Sequence, residues 1–200
     1  MITCSLDQTI KIWNLEKTDF KTPEKTLYDH EEEIIAAVVS PHPDSYWLAT
    51  ADVEGQVIVR DLRKPEMQQC HIRPELEYEP PECVSILFNQ RATGQQDSVD
   101  LFVAINNQLF YYSIDGDFLK VSGFSSNIVS MSQDKDILML ALENNSIVSY
   151  DWHEGEAVQE YNELRDNDTM TSQICIEERA SSIVVAGQKS GDIEIFKLSS

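Results

Sequence analysis

The sequence is short of basic residues, and this shortage excludes whole classes of partner. Only 15 Lys and Arg residues stand against 35 Asp and Glu in 200 residues, for a formal net charge of −20. Nucleic acids and anionic membrane surfaces need a positive protein face. We therefore expect no direct nucleic-acid contact. The acidic surplus favours solubility and permits a basic protein partner.

Long apolar runs and paired cysteines are also missing. No run of about 18 apolar residues occurs, so the sequence predicts no membrane insertion. The first residues, Met-Ile-Thr-Cys-Ser-Leu-Asp, lack the basic and apolar regions of a secretory leader. Cys4, Cys70, Cys83 and Cys175 form no Cys-x-x-Cys pair, and we expect buried, reduced thiols. These features predict an intracellular, cytoplasmic protein, with the nucleus as the alternative location.

A short pattern near the amino terminus organises the chain. Residues 7–15, Asp-Gln-Thr-Ile-Lys-Ile-Trp-Asn-Leu, read as a tight turn and a strand, with Ile10 and Ile12 on one face and Trp13 on the other. The pattern returns, degraded, at 54–62, 106–114, 144–152 and 190–198. Its matching positions are Trp13, Arg60, Tyr112, Tyr150 and Phe196, spaced 47, 52, 38 and 46 residues apart.

This pattern resembles the end of a WD repeat, which is one blade of a β-propeller with a period of about 40 to 45 residues. The resemblance rests on Asp7 six residues before Trp13, with Thr3 upstream. It implies structural roles for Thr3, Asp7 and Trp13, and for His30 and Thr50 in the next repeat.

The second repeat departs from the family pattern at two places. WD blades hold a hydrogen-bonded series of His, Ser or Thr, Asp and Trp. Here His30 and Thr50 remain, while Glu54 stands in the aspartate position and Arg60 in the tryptophan position. The resemblance therefore implies that the series is at least partly broken in this repeat.

The repeats predict an all-β fold, a β-propeller of WD-repeat type with about four complete four-stranded blades plus half a blade. We expect it to be the carboxyl-terminal part of a seven- or eight-bladed ring, completed by upstream blades or by another subunit. Short segments such as Thr26–Tyr28 should open the outer strand of the following blade. The expected segments are 1–15 (last two strands of a truncated blade), 16–62 (a blade), 63–114 (a blade with a long acidic connector and a polar insertion at Arg91–Ser98), 115–152 (a blade) and 153–200 (the carboxyl-terminal blade).

A narrower resemblance lies in residues 113–119, Ser-Ile-Asp-Gly-Asp-Phe-Leu. It is similar to a stretch in the carboxyl-terminal propeller of BEACH-domain proteins, which are large scaffolds in vesicle trafficking. The sequence contains no BEACH domain.

Catalytic and metal-binding patterns do not emerge. His30, His42, His71 and His153 share no ligand spacing with one another or with the cysteines. Nucleophile and phosphate-loop motifs are absent. We therefore expect no cofactor, no metal and no enzyme activity, with a propeller enzyme that has a channel active site as an alternative.

The remaining function is surface recognition. We expect a non-catalytic protein-interaction scaffold, and as an alternative a reader of basic peptides, such as histone tails, that uses an acidic rim. In the WD family, partners often bind the face built from the turns before each last strand and the loops before each inner strand. By motif position these residues are Asp29, His30, Glu31, Glu32, Val53, Glu54, Asn106, Asn107, Asn144, Asn145, Lys189 and Ser190.

Overall fold

The structure is a computed structural model that describes residues 1–16, 21–41, 46–64, 68–76, 80–90, 100–134, 136–161, 170–176, 183–188 and 193–197. All regular elements in these ranges are strands, as the repeat pattern predicts. Within them, no helix has the length and apolar character needed to cross a membrane. The polar insertion expected at Arg91–Ser98 lies outside the described residues.

Eighteen described strands form five antiparallel sheets, three of four strands and two of three. In chain order, the first sheet holds β1 (Ile2–Cys4), β2 (Ile10–Ile12) and β3 (Lys25–Leu27); the second β4 (Ile34–Val39), β5 (Trp47–Asp52), β6 (Val57–Asp61) and β7 (Gln68–Ile72); the third β8 (Val84–Phe88), β9 (Leu101–Ile105), β10 (Gln108–Tyr112) and β11 (Phe118–Gly123); the fourth β12 (Ile128–Asp134), β13 (Ile137–Leu142), β14 (Ile147–Asp151) and β15 (Glu156–Tyr161); and the fifth β16 (Met170–Ile176), β17 (Ile183–Gln188) and β18 (Ile193–Lys197).

The outer strands correct one expectation. The repeat pattern places Thr26–Tyr28 in the following blade, but β3 pairs with β2, in the preceding sheet. The same holds for β7, β11 and β15, which pair with β6, β10 and β14. Each outer strand thus closes the sheet before it. An expected segment such as 16–62 therefore begins with a strand that belongs to the preceding sheet. The division of the sequence into these repeats stays a prediction.

The first sheet also differs from the expectation of two strands. β3 adds a third strand, through pairs such as Ile10 with Leu27 and Ile12 with Lys25. The difference follows from the same change of partner, because the residues expected to open the second blade complete the first.

Successive sheets pack face to face around neighbouring inner strands. Ile10, Leu27, Ile34 and Leu48 form the core between the first and second sheets. β4, β8, β12 and β16 lie beside one another in turn. Gln133 Nε2 on β12 donates to Asn89 Oδ1, which directly follows β8, at 2.8 Å. This arrangement of antiparallel sheets is a β-propeller of WD type, with about four blades plus a partial one, and it confirms the predicted fold class.

The repeat positions found in the sequence share one face of their sheets. Tyr112 packs toward the second sheet and Tyr150 toward the third. Trp13 follows Ile12, which packs toward the second sheet, and so lies on the face turned away from it. These positions therefore face the preceding side of each blade, while the side chain of Phe196 lies outside the described part.

Candidate functional site

The hairpin turns and the loops that lead into the inner strands meet at one end of the sheets. Gln8 Nε2 donates to the Glu31 carbonyl at 2.7 Å, and Val53 N donates to the Glu33 carbonyl at 3.0 Å. Asn106 Oδ1 accepts from the backbone N–H of Glu82 at 2.8 Å. Each turn is thereby tied to a neighbouring loop. We call the surface formed by the turns at 5–8, 52–56, 106–107 and 143–145 and by the described residues 28–33, 73–76, 80–83 and 124–127 the candidate rim.

Each of the four turns contains one residue with a left-handed backbone. These residues are Gln8 (φ 67°), Gly55 (φ 79°), Asn106 (φ 52°) and Asn145 (φ 66°). Asn tolerates this conformation better than most residues with a side chain. The left-handed residue lets the chain reverse within each short turn, and the side chains of the turn project from a tightly bent backbone.

The predicted rim residues differ widely in exposure. Glu31, Glu54, Asn107 and Asn144 are exposed, while His30 is only 4% exposed. The burial of His30 removes its side chain from the surface open to a partner. Lys189 and Ser190 lie outside the described residues. The half-buried members are Asp29, Glu32, Val53, Asn106 and Asn145.

The structure adds rim residues that sequence reasoning missed. Asn127 Nδ2 donates to Glu82 Oε2 at 3.0 Å and to Glu143 Oε2 at 2.9 Å. Both glutamates are exposed. Glu82 precedes β8, and Glu143 follows β13. A rule that selects the loops before inner strands and the turns after strands could have found both. Arg73 Nη2 donates to Glu54 Oε2 at 3.1 Å. The Glu82 and Glu143 carboxylates bind the neutral Asn127 instead, so the rim remains acidic.

Beneath the rim, His30 joins the loop before β4 to β5 of the second sheet. Its Nδ1 lies 2.8 Å from Asp52 Oδ2, and its Nε2 lies 2.8 Å from Thr50 Oγ1. All three residues are buried. Asp52 Oδ1 also accepts from the backbone N–H of Glu54 and Gln56 at 3.1 and 3.0 Å. One carboxylate thus fixes the imidazole and the hairpin turn together.

The role of Asp52 corrects the expectation that Glu54 occupies the aspartate position. Glu54 is exposed and interacts with Arg73, whereas Asp52 supplies the carboxylate that meets His30. The series is therefore retained from His30 to Thr50 and Asp52. The signal was present in the sequence, since an aspartate two residues after Thr50 ends a strand immediately before a turn.

The first sheet shows another part of the same pattern. Trp13 Nε1 donates to Thr3 Oγ1 at 2.8 Å across two paired strands. Asp7 Oδ1 accepts from Thr9 N at 3.0 Å and from Thr9 Oγ1 at 2.6 Å, closing the turn. The Thr9 hydroxyl, followed by the Thr9 backbone N–H, lowers the pKa of Asp7. Thr3, Asp7 and Trp13 thus contribute hydrogen bonds that shape the hairpin.

Arg60, in the tryptophan position of the second repeat, forms an ion pair with Asp29. Arg60 Nη2 lies 2.8 Å from Asp29 Oδ2, at an angle outside hydrogen-bond geometry. The Arg60 side chain is 0% exposed and that of Asp29 is 26% exposed. Asp29 stands where WD repeats carry glycine. Asp29 is thus a further departure from the pattern; it lies beside the departure at Arg60, and each charge neutralises the other.

The described side chains offer few groups for metal binding or for nucleophilic chemistry. No group of three His, Cys, Asp or Glu among them could hold a metal ion. Cys4, Cys70 and Cys83 are free and half-buried rather than fully buried as expected, because each lies near a sheet margin. Burial raises the pKa of Cys70 to about 11. A hydrogen bond from the Val59 backbone opposes this rise, and the Asp115 and Asp117 carboxylates add to it.

We expect the Cys70 thiol to react slowly in the folded protein. At pH 8, a group with this pKa is thiolate in roughly one molecule in a thousand, and the thiolate is the nucleophile. Ellman's reagent should modify a variant that retains Cys70 alone much more slowly in buffer than in guanidinium. Equal rates in both solvents would contradict the burial seen here.

Replacing His30 should destabilise the fold. His30→Ala removes two buried side-chain contacts and leaves Asp52 and Thr50 short of a partner, which should cost about 2 to 4 kcal/mol of unfolding free energy. Urea unfolding followed by tryptophan fluorescence measures it. The matched control is His71→Ala, at an exposed position of β7, expected within about 0.5 kcal/mol of the parent protein; similar losses for both variants would refute a special role for His30.

The Asp29–Arg60 pair should show strong coupling. Asp29→Ala leaves the buried Arg60 charge without this carboxylate, and should cost about 2 to 3 kcal/mol, less than for a fully buried pair. Adding Arg60→Met removes the charge and should recover much of that loss. A double-mutant cycle by urea unfolding tests this, and additive effects would show that the pair does not act as a unit.

Comparison with known proteins agrees with this geometry. Residues 21–61 match the family described as WD domain, G-beta repeat. This range contains β3 to β6, and with them His30, Thr50 and Asp52. No curated protein matches the chain. Residues 21–61 are thus a WD repeat, and together with the antiparallel sheets around them they support a WD-repeat propeller.

Proposed function

We propose that the protein is a non-catalytic scaffold that binds a protein partner at the candidate rim. WD repeats generally mediate protein–protein interaction, which supports this class of function. The observation that carries the proposal is the construction of the rim. Its exposed side chains stand on turns and loops that hydrogen-bond to one another, as between Gln8 and Glu31 or Asn127 and Glu143. A surface held in this way loses little conformational entropy on binding.

The charge of the rim favours a basic partner, which is the second candidate function. Glu31, Glu33, Glu82 and Glu143 are exposed there, and Arg73, the basic side chain beside them, pairs with Glu54. Opposite charges raise the rate of encounter and suppress acidic competitors. A lysine-rich or arginine-rich segment fits this surface, and a basic protein tail is one source of such a segment.

A role in vesicle trafficking is the finer hypothesis. It depends on the resemblance of residues 113–119 to a stretch in BEACH-domain proteins. In this chain the segment makes the turn between β10 and β11, with Ser113 N donating to the Asp117 carbonyl at 3.0 Å. Gly116 has a φ of +90° there, which favours glycine.

Charge reversal at the rim tests the binding of a basic partner. We expect Glu31→Lys with Glu33→Lys to weaken binding of a fluorescent lysine-rich peptide about tenfold, since each reversal replaces an attraction with a repulsion. Fluorescence anisotropy at several salt concentrations measures it, and the parent affinity should fall as salt rises.

The matched control changes the same charge elsewhere. Glu156→Lys with Glu160→Lys alters two exposed glutamates on β15, an outer strand. This pair should change the affinity by less than twofold. Equal losses for both pairs would mean that net charge alone attracts the peptide, and would refute the rim as its site.

A further inference from the structure

A groove of about 660 Å³ lies between the outer strands of the second and third sheets, and it borders the rim only at the loop that begins at Arg73. β7 and the residues that follow it form one wall, and β10 and β11 form the other. The rings of Phe110 and Tyr112 lie under it, stacked with centroids 6.5 Å apart. Both side chains are largely buried by the core between the two sheets, so they form a fixed apolar floor.

A β-bulge brings further apolar side chains to this floor. Tyr111 pairs with Lys120, but Tyr112 pairs with Phe118, so Leu119 is the extra residue. An extra residue reverses the alternation of side chains along the strand beyond it. Phe118 and Val121 stand three residues apart and would face opposite sides of a regular strand. With the bulge, they lie opposite Tyr112 and Phe110 on the groove face.

The side chains added by the bulge are exposed. Phe118 is 57% exposed and Val121 is 43% exposed. On the other face of β11, Leu119 packs into the core with the fourth sheet, and the exposed Lys120 places its Nζ 5.5 Å from the Tyr111 ring centroid. The Phe118 ring makes an edge contact with Tyr112 at 5.9 Å. The groove therefore presents the open ring of Phe118 beside the buried ring of Tyr112.

The ends of the groove are acidic. Gly116 lines one end, and its neighbours in the chain are Asp115 and Asp117. A Cβ atom at Gly116 would lie 3.2 Å from Cys70 Sγ, so the turn packs closely against β7 and holds the two carboxylates beside it. Glu75 also lines the groove, while the one arginine of the lining, Arg73, pairs with Glu54.

We propose that this groove binds an extended segment of a partner protein in which a large apolar or aromatic side chain lies next to a lysine or arginine. The apolar side chain packs against Phe118 and Tyr112, and the cation lies near Asp115 and Asp117. The floor strand β10 has five residues, which at about 3.3 Å per residue spans roughly 16 Å and accommodates an extended segment of about five residues. The acidic ends distinguish this occupant from an acidic or purely apolar peptide.

Selection from a phage-displayed library of random heptapeptides against the full 200-residue chain tests the proposal. We expect enriched peptides to carry an aromatic or large aliphatic residue within two positions of a lysine or arginine. Phe118→Ser should weaken their binding at least tenfold, and Val121→Ser should weaken it several-fold. Asp115→Asn should reduce both the affinity and its salt dependence.

Two control variants distinguish binding in the groove from binding elsewhere on the protein. Val158→Ser changes a comparable apolar residue, 63% exposed on β15, and should leave binding unchanged. Glu31→Lys with Glu33→Lys should also leave these peptides unaffected, so that failure at the rim and failure at the groove can be told apart. The proposal is overturned if no peptide is enriched, or if folded Phe118→Ser and Val121→Ser variants bind the enriched peptides as the parent does.

Discussion

The middle strands of the second, third and fourth sheets are buried on both faces, and most of the structure follows from that constraint. All five residues of β9 are buried. Leu101, Val103 and Ile105 pack toward the second sheet, while Phe102 and Ala104 pack toward the fourth. A strand of this kind cannot leave either face in water, so each sheet needs a neighbour on both sides. Face-to-face stacking of successive blades meets this need, and it leaves the edges of the sheets for recognition.

The Asp29–Arg60 pair shows how one blade departs from the WD pattern while it keeps its main contacts. A buried arginine alone would carry a large desolvation cost. Asp29 lies 2.8 Å away and offsets part of that cost, at a position where a glycine could not. His30, next in the chain, still joins Thr50 and Asp52. The blade therefore exchanges one member of the series for an ion pair and retains the link between loop, strand and turn.

Individual strands can be predicted from the sequence because a short apolar run is a local signal. Ile34–Val39, Val84–Phe88 and Ile137–Leu142 are such runs, and each forms a strand. The partner of a short outer strand is a long-range property, since a strand such as Lys25–Leu27 carries nothing that tells the sheet before it from the sheet after it. The pairing is decided by loop geometry and by the face that Leu27 buries.

The site is less predictable, and the reasons differ by residue. Motif alignment places the aspartate at Glu54, because it counts residues back from Arg60 and cannot detect that Asp52 points inward. The family pattern assigns His30 both to the partner-binding surface and to the hydrogen-bonded series. Its burial supports the second role and removes the first. The groove cannot be read from the sequence at all, since the bulge at Leu119 that gives Phe118 and Val121 a common face is visible only in the pairing register.

The rim and the groove would recognise a partner by different physics. Charges on the rim act over a Debye length of about 8 Å in physiological salt, so they speed encounter more than they discriminate among basic segments. The groove acts at contact distance, where burial of one aromatic side chain contributes about 1.5 to 3 kcal/mol and depends on shape. A partner that carries a basic segment and an apolar side chain beside a cation would engage both surfaces. Binding at one would then raise the effective concentration at the other, so that two weak contacts combine into a selective one.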